Sequence, residues 1–165
     1  MALTGSGTAG AASPDDTLVL ELATGKVVIE MMPQVAPLHV ARIKELANDG
    51  FYDGVVFHRV IPGFMAQTGD PTGTGTGGSG RGKLKAEFSN TPFERGTIGM
   101  ARTNNPDSAN SQWFICFRPT SHLNGQYTVW GRVVEGMELV DKIAPGEPPR
   151  KPDRMVKVRV AADAG

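Results

Sequence analysis

The sequence predicts a mainly β fold: a closed, eight-stranded antiparallel barrel capped by two α-helices. Three observations lead there. Eight short apolar or alternating stretches are separated by turn residues. No strand–helix–strand alternation is present to build a parallel sheet. The chain of 165 residues, 39% hydrophobic, suits one domain with one core, which the inward side chains of such a barrel can fill.

The elements follow in order. Residues 1–16, MALTGSGTAGAASPDD, are small and polar and read as a flexible arm; residues 17–162 form the domain. Thr17–Leu22 and Lys26–Met31 alternate, with Ala23-Thr-Gly25 as a hairpin turn. Pro37 suits the first turn of a helix with Val40, Ile43, Leu46 and Ala47 on one face, and Gly50 is placed to cap its end. Val55–Ile61 and Phe64–Thr68 are strands parted by Pro62-Gly63. Thr97–Arg102, Gln112–Phe117 and Thr128–Val134 follow, then a short helix over Met137–Ile143. The loop PGEPPRKPDR leads to a last strand, Arg154–Ala161.

Composition removes several function classes. Seventeen basic residues balance seventeen acidic ones with no like-charge run, which argues against a nucleic-acid or membrane surface. One cysteine excludes an intrachain disulfide, and three scattered histidines show no metal-ligand spacing. No cofactor is expected. The arm lacks the basic start and apolar centre of a signal peptide. The expected compartment is therefore the cytoplasm, with the periplasm as the alternative if a leader has been removed.

The loop GDPTGTGTGGSGRGKLKAEF contains a literal G-x-G-x-x-G, Gly73 to Gly78. A dinucleotide site needs a helix opening on the last glycine, and here two more glycines and a proline follow. A P-loop needs Ser or Thr after its lysine, and Leu84 follows Lys83. The loop reads as a surface segment, not a nucleotide site.

The polar residues set in apolar strands are more informative. The period of two places Met65 with Gln67, and Gln112 with Phe114, while Trp113 and Ile115 take the opposite face. Arg59 interrupts the apolar run VVFHRVI. Singly, Arg59 reads as a solvated strand residue, His58 as a structural histidine and Cys116 as a small buried hydrophobe.

Taken together, three segments resemble the cyclophilins, the peptidyl-prolyl cis-trans isomerases: FHRVIPGFMAQTGD, GMARTNNPDSANSQWFI and SHLNGQYTVWGRVVEGMELVDKI. The likeness runs from about Thr17 to Val160, and Met100-Ala-Arg102 gives it a bacterial look. It implies an eight-stranded barrel with a substrate groove on its outer face. Arg59 takes the place of the catalytic arginine. Phe64, Met65, Phe114 and Leu123 match the pocket for the substrate proline. Gln67 matches the substrate-binding glutamine, Ala101 the alanine that binds substrate backbone, and Gln112 a further groove residue.

Three positions depart from the family pattern. Arg102 stands where asparagine is frequent, His122 where cyclosporin-sensitive members have tryptophan, and Tyr127 where many have histidine. Trp113 replaces a common phenylalanine and should point inward. The implied activity is rotation about X-Pro bonds during protein folding. The alternative is a proline-peptide-binding module or chaperone on the same fold. Expected partners are proline-containing peptides and folding proteins, with weak cyclosporin binding and a monomeric state.

Overall fold

β1 (Thr17–Leu22) and β2 (Gly25–Met31) pair antiparallel from Thr17 opposite Glu30 to Leu22 opposite Gly25. Their alternation works as expected: Leu18, Leu20 and Leu22 face inward with Val27, Ile29 and Met31. The computed structural model describes residues 12–163. Residues 1–11 of the expected arm lie outside them. Pro14–Asp16 form a 3-10 turn, and Lys44 Nζ lies 3.0 Å from Asp16 Oδ1.

The remaining strands are β3 (Arg59–Ile61), β4 (Met65–Thr68), β5 (Thr97–Met100), β6 (Trp113–Cys116), β7 (Val129–Glu135) and β8 (Lys157–Val160). All eight belong to one antiparallel sheet in the order β3-β4-β6-β5-β7-β2-β1-β8. Register shifts at Val28/Ile29 and Ile98/Gly99 help the sheet to curl.

One expectation needs correcting: the barrel is curled but its ladder is not closed. β3 and β8 end the strand order. Among the described residues the seam between them is crossed by isolated bridges and irregular segments instead of a continuous ladder. Val56 bridges Arg154, Phe57 N donates to Asp153 O at 2.9 Å and Met155 N to Val55 O at 2.9 Å. Residues 55–58, expected as strand, are spent on this irregular seam, so β3 is shorter than the sequence suggested.

α1 (Pro37–Asn48) buries Val40, Ile43, Leu46 and Ala47 in the same core as the barrel interior. Its C-terminus has Gly50 in the left-handed region at φ 77°. Gly50 N donates to Ala47 O and Phe51 N to Leu46 O, the paired bonds of a Schellman motif. At the other end Ala36 cannot cap. The Glu87 carboxylate does so from a distant loop, accepting Leu38 N at 3.1 Å and His39 N at 2.9 Å. α2 (Met137–Val140) is a single turn. Beyond Val140 the bonds tighten, Lys142 N to Leu139 O and Ile143 N to Val140 O, so the helical spacing continues as turns.

His39 supplies a pH-dependent element of this frame. Its ring is fully buried, Nδ1 lies 2.6 Å from Glu87 Oε1, and Nε2 has no partner among the described residues. Burial pushes its pKa below the ordinary 6.5 against the pull of Glu87, and Arg42 adds to the depression. Burial also lowers His58, against the raising effect of Asp70. The folded state then binds fewer protons than the unfolded state below pH 6.5, so stability falls as pH drops from there through the folded pKa. Thermal unfolding should give a lower Tm near pH 5 than near pH 7.5. His39→Asn, which keeps a donor toward Glu87, should flatten that slope; an unchanged slope would remove His39 as its source.

Candidate active site

The two faces of β4, β5 and β6 build two separate apolar clusters. Ala66, Ile98, Met100, Trp113 and Ile115 point into the barrel. Met65, Phe114 and Cys116 point outward and pack with Phe93, Leu123 and Val129. Strands β5 and β6 are thus buried on both sides. Trp113 does point inward, fully buried and edge-on to Tyr52 and Trp130. Cys116 is also fully buried, and burial pushes its thiol pKa up.

The outer cluster floors a cavity of about 110 Å³. Phe64, Met65, Phe114, Leu123 and Tyr127 form its apolar wall; Arg59, Gln67, Ala101 and Arg102 supply its polar rim. Strand register explains how residues so far apart in sequence meet. Arg59 lies opposite Gln67, Gln67 opposite Phe114, and Phe114 opposite Gly99, one row across β3, β4, β6 and β5. Gly99 has to be glycine: a Cβ there would sit 2.5 Å from Phe93 and 2.7 Å from Phe114. Its absence lets those two rings stack at 5.7 Å.

Hydrogen bonds join the polar rim into a chain. Arg59 Nη1 donates to Gln67 Oε1 at 3.4 Å, and Gln67 Nε2 to Gln112 Oε1 at 3.0 Å. Gln112 Nε2 donates in turn to the carbonyls of Gly75 and Gly77, each at 3.0 Å. Gln112 lines a neighbouring cavity of about 450 Å³, with Gly75–Gly78, Lys83, Asn110 and Arg102. Gln67, Ala101 and Arg102 line both cavities, and Arg102 is the most firmly tied of the three. The Arg102 guanidinium lies 4.5 Å from the Tyr127 ring centre and donates to Gln126 O and Thr103 O.

His122 stands apart from the other expected residues. It is exposed, outside the lining of both cavities, and its ring lies 5.8 Å from that of Phe64.

Sequence reasoning missed two carboxylates. Asp70 is fully buried and organises the glycine loop: it accepts Thr72 Oγ1 and the N–H groups of Thr72, Gly75 and Gly77 at 2.6–3.0 Å. Burial alone would raise its pKa, but these four donors hold it at about 2. An aspartate opening a Gly/Thr-rich run was the available signal, because such side chains bond the backbone just ahead. Glu147 lies 3.1 Å from Arg59 Nε through Oε1, and nothing in its Pro-rich surroundings pointed there.

An antiparallel sheet curled around a packed core, carrying an apolar cavity beside an arginine on its outer face, fits the resemblance to the cyclophilins. The comparisons agree. Residues 17–161 match the family model for cyclophilin type peptidyl-prolyl cis-trans isomerase/CLD. A probable peptidyl-prolyl cis-trans isomerase of Brucella suis biovar 1 is 52% identical, covering 94% of this chain and 88% of its own. Peptidyl-prolyl cis-trans isomerase B of Bacillus subtilis is 45% identical over 82% of this chain and 90% of its own. A crystal structure of a Hirschia baltica cyclophilin superposes with a TM-score of 0.86 at 29% identity, covering 93% of this chain and 77% of that one. A Cryptosporidium parvum cyclophilin type isomerase, solved in the presence of the dipeptide Ala-Pro, gives 0.82 at 25% identity, covering 87% and 98%. The chain belongs to the cyclophilin-type peptidyl-prolyl cis-trans isomerases, enzymes that catalyse rotation about X-Pro bonds.

Proposed function

We propose that the substrate proline enters the cavity walled by Phe64, Met65, Phe114 and Leu123, and that Arg59 is the catalytic residue. The observation that carries this reading is the cavity itself, an apolar pocket with a guanidinium at its rim. The relative solved in the presence of Ala-Pro supports a proline peptide as the occupant.

The chemistry needs neither covalent intermediate nor proton transfer. Amide resonance sets a rotation barrier of about 18–20 kcal/mol. In the twisted state the prolyl nitrogen becomes pyramidal and regains a lone pair. A guanidinium N–H aimed at that nitrogen stabilises the twisted state more than the planar one, which is what catalysis requires. Nε of Arg59 is engaged by Glu147 and Nη1 by Gln67, while Nη2 has no hydrogen-bond partner among the described residues and is the donor we assign to the prolyl nitrogen. The apolar walls hold the ring while Gln67 and the Ala101 backbone hold the flanking carbonyls, so one side of the bond turns against an anchored partner. Residues preceding the proline would lie in the second cavity, beside the glycine loop that Asp70 holds in shape.

Cyclosporin should bind weakly. The expected indole donor is replaced by His122, a smaller ring that lies outside the proline cavity. His122→Trp should strengthen inhibition by about 1–3 kcal/mol, roughly 5- to 150-fold, with turnover nearly unchanged. Inhibition and turnover measured side by side on both proteins test this. Equal inhibition would mean that position 122 is not the drug contact.

A further inference from the structure

We infer that Glu147 is a positioning residue for the isomerisation, holding the Arg59 guanidinium over the proline cavity. This rests on the role proposed for Arg59. Val60 and Gly146 form an antiparallel bridge, with Val60 N to Gly146 O at 2.8 Å and Gly146 N to Val60 O at 2.9 Å. In antiparallel pairing the residue before one partner faces the residue after the other. Arg59 and Glu147 are that next pair. Glu147 therefore extends the row Arg59–Gln67–Phe114–Gly99 one place beyond the sheet edge.

The loop around Glu147 is fixed independently of the ion pair. Gly146 has φ 142°, and a Cβ there would lie 2.6 Å from Pro149 Cα, so the loop folds tightly back on itself. Ala144 N, two residues earlier, donates to Asp153 Oδ2 at 2.7 Å. The carboxylate is thus presented by backbone that is bonded to the strand carrying Arg59.

Arg59 needs such a tether because open space lies beside it. A cavity of about 470 Å³ opens between Arg59, Glu147, His58 and the Gly73–Gly75 turn. The Gln67 contact at 3.4 Å is long and would be a weak restraint alone. With Nε held by Glu147, the guanidinium plane is set and Nη2 is left for the substrate. The pair is half exposed, with side chains 45% and 57% accessible, so its worth lies in orientation rather than stability.

The test compares Glu147→Ala with Glu147→Gln, whose amide oxygen can still accept from Nε. Glu147→Ala should lower kcat about tenfold with KM changed by less than about twofold and an unchanged Tm. Glu147→Gln should recover kcat to within about threefold of wild type. The NMR signal of the Arg59 Nε–H should stay in place in the Gln variant and move toward the free-arginine position in the Ala variant. That signal reads the pair without turnover, so it separates failure here from failure of the role given to Arg59. A Glu147→Ala enzyme as fast as wild type, an equal loss in both variants, or an Nε–H signal indifferent to both would overturn the assignment.

Discussion

Replacing Arg59 with alanine should cost about 10²–10³-fold in kcat/KM, the usual loss when one donor to a developing charge is removed. The loss should fall on kcat, because the guanidinium is asked to act on the pyramidal nitrogen and not on the planar ground state. The side chain is 45% accessible and outside both apolar clusters, so the variant should fold and bind a proline peptide much as wild type does. Arg59→Lys should not rescue turnover. Lysine offers a compact charge that cannot serve Glu147, Gln67 and substrate from one fixed plane. Retention of more than about a third of wild-type kcat/KM by Arg59→Ala would show that the donor is elsewhere.

Phe114→Ala should produce the largest combined loss of stability and binding. The ring is 4% accessible, stacks on Phe93 at 5.7 Å and meets Tyr127 edge-on at 5.7 Å. Truncation of such a side chain costs about 3–5 kcal/mol, a large part of the stability of a typical domain. Because that variant could fail to fold at assay temperature, Phe114→Leu serves beside it, keeping apolar volume while removing the flat floor. It should unfold at lower urea concentration and bind a proline peptide several-fold more weakly, with the deficit mainly in KM. Unchanged peptide affinity in folded Phe114→Leu would place the substrate ring outside this cavity.

Much of this architecture was legible in the sequence because it depends on local spacing. The alternation of Leu18, Leu20 and Leu22 marks β1, Pro37 and Gly50 mark the ends of α1, and the period of two sets Phe114 and Trp113 on opposite faces. The seam of the barrel was not legible. Val55, Phe57 and His58 are buried like strand residues, yet Phe57 bonds the irregular segment at Asp153 instead of a ladder partner. Residues up to Ile143 satisfy helical spacing, but their hydrogen bonds tighten into turns after Val140.

The site was legible only in part for a related reason. Nine of the expected residues line one cavity, yet the row that aligns them comes from cross-strand register, which no single stretch contains. Gly99 carries no chemical signal, and its importance appears only when the Phe93 and Phe114 rings are seen filling its missing Cβ. Glu147 is 88 residues from Arg59, and only the Val60–Gly146 bridge brings them side by side.

The most direct measurement is NMR exchange spectroscopy on an Ala-Pro-containing peptide with a catalytic amount of the protein. Without a catalyst, cis and trans forms interconvert over tens to hundreds of seconds. Wild-type protein should bring exchange cross-peaks into sub-second mixing times, and Arg59→Ala should abolish them while the peptide signals still shift on titration. Peptide signals that shift with wild-type protein while exchange stays at its uncatalysed rate would contradict catalysis and identify a proline-binding module on the same fold.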